Sequence, residues 1–128
     1  MEISQAQWDE LVAHARAEAP NECCGYMTMR DGRVEAVVRA QNERNSPYGY
    51  QLDANAQIRA YRLGEEDGYE IAVYHSHPRS AAEPSQTDVN LAVFPEWVQV
   101  IVSLASDPEV RAWRIADGRV EEESLSIG

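Results

Sequence analysis

Apolar residues recur at helical spacing near the beginning of the chain. The repeating positions, which share one face of a helix, are Trp8, Leu11, Val12 and Ala15. Ser4 followed three residues later by Gln7 forms the capping box that begins many helices. Pro20 cannot continue a helix, because its backbone nitrogen carries no hydrogen. The pattern therefore predicts a first helix over residues 5–18.

Two further helices are predicted downstream. The first covers residues 54–65, with Asp53 as its N-cap and Gly68 as the residue that stops it. Its periodicity predicts that the buried side chains are Ile58, Tyr61 and Leu63. A shorter helix over residues 85–94 follows a polar loop that contains proline.

Apolar runs between these helices predict six strands. They cover residues 24–29, 34–40, 69–75, 97–104, 111–116 and 120–127. Asp31-Gly32 and Asp117-Gly118 are strong signals for tight hairpin turns, and the polar stretch 41–52 is a loop. Hairpins with interspersed helices indicate an α+β fold, in which helices flank a mixed sheet in an α-β-α arrangement. The length of 128 residues predicts one domain over residues 1–128.

The charge balance narrows the class of partner. Asp and Glu number 22 against 11 basic residues, all of them arginine, and the net charge is −11 at pH 7. The electrostatic field of this negative charge repels phosphate backbones and anionic lipids, so neither nucleic acid nor a membrane is an expected partner. The absence of a leader pattern and of an apolar run near ~20 residues predicts a cytoplasmic protein. We expect the adjacent Cys23 and Cys24 to be reduced, because a disulfide between neighbours is strained.

His75 and His77 stand two residues apart at the end of a predicted strand, where alternation points both imidazoles to one face. Asp88 follows in the short helix, and the loop between is long enough to bring its carboxylate back over the strand. Two nitrogens and one oxygen leave tetrahedral Zn²⁺ one position for water, as in catalytic sites. The same ligand types also fit an iron enzyme with two histidines and one carboxylate. Ser85 and Asp88 also match an ordinary helix N-cap, and both interpretations can hold together.

A metal-activated water needs a base, and Glu22 is the candidate. It lies in Pro20-Asn21-Glu22, ahead of the first predicted strand. A carboxylate beside such a water can take its proton and pass it to a leaving amine. Most of the 22 acidic residues are expected in solvent, so this segment alone does not identify the base.

Together these residues resemble the full signature of the JAMM (MPN-plus) metallopeptidases. Glu22 lies in Pro-Asn-Glu-Cys-Cys-Gly, and His75-Ser-His-Pro is followed after six residues by Ser85 and after two more by Asp88. The element order over residues 3–127 is also similar to the minimal domain of that family. Positions before the second predicted helix that resemble the family are Asn42, Ser46-Pro47, Tyr50 and Asp53.

The resemblance implies a JAB/MPN-type fold and a zinc peptidase or isopeptidase that cuts after the C-terminal glycine of a ubiquitin-like protein. It implies one Zn²⁺ with a bound water, held by His75, His77 and Asp88. Glu22 would be the general acid and base, and Ser85 would stabilise the oxyanion. Compact bacterial members are similar in size and act on ubiquitin-like sulfur-carrier proteins, so the expected partner is the C-terminal Gly-Gly tail of such a carrier.

An extended Gly-Gly tail can add as a strand beside an exposed sheet edge, while a narrow passage excludes residues with a Cβ atom. The loops over residues 42–52 and 79–84 are the candidate lining of this passage. The identity of the carrier, the choice between a peptide and an isopeptide bond, and the formation of a homodimer stay open at this stage.

Two other interpretations compete with this enzyme. A non-catalytic MPN scaffold would bind partners only, but such domains typically lack the ligands that this chain retains. A nucleophile at Cys23 or Cys24 needs an activating group such as an imidazole, and the two candidate imidazoles are assigned to metal. We expect His14 on the surface. The tryptophans expected in the core are Trp8, Trp97 and Trp113.

Overall fold

An eight-stranded sheet and three helices make up the computed structural model, which describes all residues from Met1 to Gly128. The helices are α1 (Gln5–Glu18), α2 (Ala54–Asp67) and α3 (Gln86–Leu91). The strands are β1 (Glu2–Ile3), β2 (Cys24–Arg30), β3 (Arg33–Ala40), β4 (Glu70–His77), β5 (Val98–Ser103), β6 (Glu109–Ala116), β7 (Arg119–Glu123) and β8 (Ser126–Ile127). None of the helices has both the length and the apolar character to span a bilayer.

The strands lie in the order β7-β6-β5-β4-β2-β3-β1-β8. Neighbours are antiparallel except that β4 is parallel to β5, and β1 is parallel to β3 and to β8. This mixed pairing confirms the predicted α+β class. Strands β7 and β8 are close in sequence but lie at opposite ends of the order, so the sheet curls until its two edges approach each other.

The predicted last strand, residues 120–127, is wrong in one respect. Its pairing with β6 ends at Glu123, and Ser126 and Ile127 pair with β1 at the other edge of the sheet. Leu125, between the two pieces, packs against the core. The curl of the sheet is the physical reason, because it brings β1 within reach of the end of the chain.

Helices cover both faces of the sheet, which confirms the α-β-α arrangement. Leu11 and Val12 of α1 belong to a core cluster on one face. Ala56 and Ala60 of α2 belong to a second cluster on the other face.

Residues of β4 alternate between the two clusters. Tyr74 belongs to the cluster on the α1 side, whereas Ile71 and Val73 belong to the cluster on the α2 side. Because side chains along a strand alternate with a period of two, His75 and His77 continue the series on the α2 side.

Local signals for caps and turns are confirmed. Ser4 and Gln7 form the reciprocal capping box at the beginning of α1, and the carboxylate of Asp53 accepts a hydrogen bond from Asn55 at the beginning of α2. Both residues of each Asp-Gly turn have positive φ, near 52° and 75°. This is the conformation that a two-residue hairpin turn requires.

Helix α2 buries small residues instead of the large ones that its periodicity predicts. Ile58 and Tyr61 are 50% and 46% exposed, whereas Ala56 and Ala60 are fully buried. Large side chains from the strands fill this side of the core, so the helix approaches the sheet through its alanines. The predicted burial of Ile58 and Tyr61 is therefore wrong.

His14 is buried, contrary to the prediction of a surface position. It is 3% exposed, and its Nδ1 lies 2.7 Å from the hydroxyl of Tyr74, which is itself fully buried. Burial lowers the pKa of His14, so the neutral imidazole accepts this hydrogen bond from the tyrosine. A buried hydroxyl needs such a partner, and the sequence around His14 does not reveal it.

The tryptophan predictions are confirmed at two of three positions. Trp97 and Trp113 are buried. Trp8 is only partly buried and packs against the edge of the α1 cluster.

Candidate metal centre

His75 and His77 lie side by side at the end of β4, on the α2 side of the sheet. The strand continues to His77, two residues beyond its predicted end, because β5 pairs with it as far as Ser103. Ser76 points to the opposite face, where its hydroxyl accepts a hydrogen bond from the N–H of Cys23 at 2.8 Å. The two histidines are 1% and 5% exposed. Strand β5 thus pairs with both histidines on one side, and β2 pairs with His75 on the other.

Helix α3 supplies the third group of the cluster. Ser85 Oγ accepts a hydrogen bond from the N–H of Asp88 at 3.1 Å, and Asp88 Oδ2 accepts one from the N–H of Ser85 at 2.9 Å. The same carboxylate reaches the histidines, with Oδ1 3.1 Å from His75 Nε2 and Oδ2 3.0 Å from His77 Nε2. The predicted helix cap is confirmed, and the cap directs Asp88 at the two imidazoles.

The spacing of these three side chains fits a metal. The two Nε2 atoms are 3.2 Å apart. Donor atoms about 2.0–2.1 Å from a tetrahedral zinc ion are separated by roughly 3.3 Å. Nδ1 of His77 donates to the carbonyl of Ala81 at 2.8 Å, which leaves the lone pair of its Nε2 for the cluster. The donor set therefore fits a divalent cation.

Glu22 lies beside this cluster, two residues before β2. It is 5% exposed, and one of its carboxylate oxygens lies within 4.8 Å of a ring nitrogen of both His75 and His77. Its Oε1 atom is buried without a hydrogen-bond partner, as is Nδ1 of His75. A buried polar atom without a partner is costly unless an ion, a ligand or water satisfies it. The site is thus built to receive a further group next to Glu22.

The pKa values of the two carboxyl groups, Glu22 and Asp88, are shifted in opposite directions. Burial raises the pKa of Glu22 to about 7. Burial also tends to raise the pKa of Asp88, but hydrogen bonds with His75 and His77 outweigh it and hold that pKa well below its ordinary value. Burial lowers the pKa of His75, which favours the neutral imidazole that binds metals. Carboxylates whose pKa values are pushed apart in this way are typical of acid–base sites.

The loop over residues 41–52 closes over the site. The ring of Tyr50 stacks on His75, with the two centroids 4.4 Å apart and the planes at 17°. The N–H of Glu22 donates to the carbonyl of Ser46 at 2.9 Å, and the carbonyl of Glu22 accepts a hydrogen bond from Asn42 Nδ2 at 3.0 Å. Asn42 and Tyr50 were predicted only as part of the lining loop and of a segment that resembles the family, and neither was predicted to contact Glu22 or His75.

A cavity of about 480 Å³ borders the loop over residues 41–52. Its lining includes Tyr50, Leu52, Val73, Phe94 and Trp97. The loop over residues 79–84, the other predicted lining, does not border this cavity; Ala82 is buried against Ile101 and Trp113, and the carbonyl of Ala81 accepts a hydrogen bond from His77. The cavity thus adjoins one of the two predicted loops, and its other walls come from β4, α2 and the segment after α3.

Cys23 and Cys24 are free and buried. Burial raises the pKa of the Cys23 thiol to about 11 and that of the Cys24 thiol to about 12. Thiols with such pKa values carry almost no thiolate near neutral pH, so neither residue is an activated nucleophile.

Comparison with known proteins identifies the family. Residues 4–116 match the family of prokaryotic homologues of the JAB domain. The chain belongs to this family. The chain is similar to the CysO-cysteine peptidase of Mycobacterium tuberculosis, which is 40% identical over 123 residues, 91% of this chain and 84% of that protein. Another similar protein is the probable TtuB-protein conjugate cleaving protease of Thermus thermophilus, 34% identical over 113 residues, 87% of this chain and 73% of that protein.

A solved structure has a similar fold over nearly the whole chain. Protein DSY2949 from Desulfitobacterium hafniense superposes with a TM-score of 0.86 at 33% sequence identity, and the match covers 99% of this chain and 92% of that one. The predicted JAB-type fold and the resemblance to the JAMM metallopeptidases are confirmed by the family match.

Proposed function

We propose that this JAB-family chain is a zinc-dependent peptidase or isopeptidase that hydrolyses the bond after the C-terminal glycine of a ubiquitin-like or sulfur-carrier protein. The observation that carries the proposal is the convergence of His75, His77 and Asp88 beside the buried, unpartnered carboxylate of Glu22. The relatives support the substrate class, because one is named a CysO-cysteine peptidase and another a probable protease that cleaves TtuB-protein conjugates.

His75, His77 and Asp88 would hold the zinc through two imidazoles and one ionised carboxylate. When bound, zinc supplies Lewis-acid activation of a water molecule and of the scissile carbonyl. Asp88, rather than Glu22, is assigned as the third ligand because its oxygens lie 3.0 and 3.1 Å from the two Nε2 atoms and accept a supporting hydrogen bond from Ser85.

Glu22 is the proposed general acid and base. Its ionised carboxylate accepts a proton from the attacking water, and the resulting acid returns the proton to the leaving nitrogen so that a neutral amine departs. Its Oε1 makes no hydrogen bond within the protein, so that oxygen is available to a water molecule.

Ser85 combines two roles in one hydroxyl. Its Oγ uses a lone pair to accept the cap hydrogen bond from Asp88, and its own proton remains free to donate. We assign this proton to the oxygen of the scissile carbonyl, where negative charge develops during attack. The helix cap fixes the serine for that donation.

The cavity beside Tyr50 is the proposed path of the carrier tail. Val73 lines the cavity and lies two residues before His75 on the same face of β4, so the cavity leads along the strand toward the proposed metal ligands. Tyr50 lines the cavity and also packs on His75. An extended tail would bury its backbone against this apolar wall and place its last glycine at the histidines.

The test is hydrolysis of candidate carrier conjugates by the purified chain. Carrier proteins extended by one cysteine, or joined to a lysine side chain, are incubated with the zinc-loaded protein and weighed by mass spectrometry. We expect cleavage after the terminal glycine, loss of cleavage with a chelator and recovery when zinc is added back. Binding without cleavage would support a scaffold, and recovery with ferrous iron but not zinc would support the iron enzyme; either result would contradict the proposal.

Ser85→Ala is expected to lower kcat by about 10²–10³, the usual effect of losing one oxyanion donor. The loss of the helix cap should cost only about 1 kcal/mol of stability. Ser4→Ala is the matched control, because Ser4 Oγ caps α1 with the same 3.1 Å hydrogen bond and lies in another helix cap. Turnover and Tm are measured for both variants. If Ser85→Ala turns over substrate as fast as Ser4→Ala, Ser85 acts only as a helix cap.

A further inference from the structure

Glu22 lies outside regular secondary structure, between the end of α1 and the beginning of β2. Both polar groups of its backbone are nevertheless bonded to the loop over residues 41–52. Its N–H donates to the carbonyl of Ser46 at 2.9 Å, and its carbonyl accepts from Asn42 Nδ2 at 3.0 Å. The position of the proposed base therefore depends on how this loop is held.

Asn42 is the hydrogen-bonding centre of the loop. Besides Glu22, its Nδ2 donates to the carbonyl of Gly49 at 3.2 Å. Its Oδ1 accepts from the N–H of Arg44 at 3.0 Å and from the N–H of Gln51 at 2.9 Å. An amide side chain has two donor hydrogens and two lone pairs on its oxygen, so the full capacity of Asn42 is used.

The contacts of Asn42 also fix Tyr50. Gly49 and Gln51, the residues on either side, are both bonded to the Asn42 amide. The ring of Tyr50 packs on His75 with 4.4 Å between the centroids. One side chain thus holds both the proposed base and the aromatic ring that supports a proposed metal ligand.

We infer that Asn42 is a positioning residue, which holds Glu22 and Tyr50 in register with the histidines without touching the substrate. The inference rests on the proposed function for the role given to Glu22. The two halves of the amide have separable tasks. The donor half holds the carbonyls of Glu22 and Gly49, and the acceptor half organises the backbone of the loop.

Asn42→Asp separates these two tasks. The carboxylate can still accept from the loop N–H groups, but it has no proton for the carbonyl of Glu22. We expect kcat to fall about 10²-fold, since a displacement of about 1 Å in a catalytic group can have that effect. Zinc content should stay unchanged, because the three proposed ligands keep their side chains. KM should change less than kcat, because the bond from Gln51 to the acceptor half of residue 42 still holds one side of Tyr50.

Asn45→Asp is the matched control. It makes the same change in charge three residues away in the same loop. Asn45 has a positive φ of 46°, which aspartate tolerates better than most residues, and its Oδ1 accepts from Asn21 Nδ2 at 3.0 Å, a bond that aspartate keeps. We expect this variant to retain the kcat of the unmodified chain.

Amide hydrogen exchange measured by NMR supplies a readout that does not depend on activity. In Asn42→Asp the carbonyl of Glu22 loses its donor, so the residue should move away from the loop and its own N–H, which donates to the carbonyl of Ser46, should lose protection. The N–H of Gln51 should stay protected, because its acceptor at residue 42 is retained. An unchanged kcat, an equal fall in both variants, or a lowered kcat with the Glu22 amide still protected would each overturn the inference.

A folding defect is resolved with a second variant, Asn42→Ser. If neither variant at Asn42 folds while Asn45→Asp does, Asn42 maintains the fold as a whole and the positioning role is overturned. If the unmodified chain cleaves no carrier, the proposed function fails. The exchange data then still decide whether Asn42 holds Glu22.

Discussion

Glu22→Gln is expected to lower kcat by about 10²–10⁴ while the protein keeps its fold and its zinc. Glutamine has nearly the same shape as glutamate, but it cannot take the proton from the attacking water or return it to the leaving nitrogen. General acid–base catalysis contributes about 10²–10⁴ in rate, so kcat should fall within that range. Turnover of a purified carrier conjugate is measured beside zinc content by elemental analysis and the Tm.

Retention of the fold follows from the environment of Glu22. Its Oε1 has no partner, and burial raises its pKa to about 7, so the ionised carboxylate does not stabilise the metal-free protein. A neutral amide removes a buried charge, and the Tm should not fall. Glu18→Gln is the control, because Glu18 is an exposed glutamate at the end of α1. A Glu22→Gln protein with most of its turnover intact would show that another group moves the proton.

The second large effect is the loss of metal from Asp88→Asn. The amide oxygen can still accept the hydrogen bond from the N–H of Ser85, so α3 should keep its cap, but the negative charge of the ligand is gone. Groups that only support metal ligands contribute about 10–100-fold to affinity, and a direct ligand should exceed that. Zinc affinity is measured by competition with a chelator, and hydrolysis should disappear with the metal.

Asp53→Asn is the matched control for Asp88→Asn. Asp53 caps α2 through a 3.0 Å hydrogen bond from Asn55 and belongs to no cluster of potential metal ligands. It should show a similar change in Tm with unchanged zinc affinity. The pair of variants also tests which carboxylate is the ligand, since Glu22 lies within 4.8 Å of the same histidines. Zinc retained by Asp88→Asn and lost by Glu22→Gln would reverse the assigned roles.

Most helix and strand positions are predicted correctly, and most errors concern the burial of side chains. Two elements are exceptions: α3 ends at Leu91, three residues before its predicted end, and the predicted last strand divides into β7 and β8. Helices α1 and α2 and strands β2 to β6 lie within two residues of their predicted bounds, because caps, turns and apolar periodicity act over a few residues. His14 was predicted to be exposed and is buried, whereas Ile58 was predicted to be buried and is exposed. Their burial depends on distant partners, such as Tyr74, which is 60 residues from His14 in the chain.

Residue order alone is enough to place two imidazoles on one face of a strand and a carboxylate in the first turn of a helix. Both follow from spacing, since strand residues two apart share a face and a serine three residues before an aspartate can cap a helix. What residue order does not contain is the distance between segments. Folding brings Asp88 within 3.1 Å of His75 and wraps the loop held by Asn42 around Glu22. These contacts depend on how the curled sheet and its loops pack together, which no local pattern encodes.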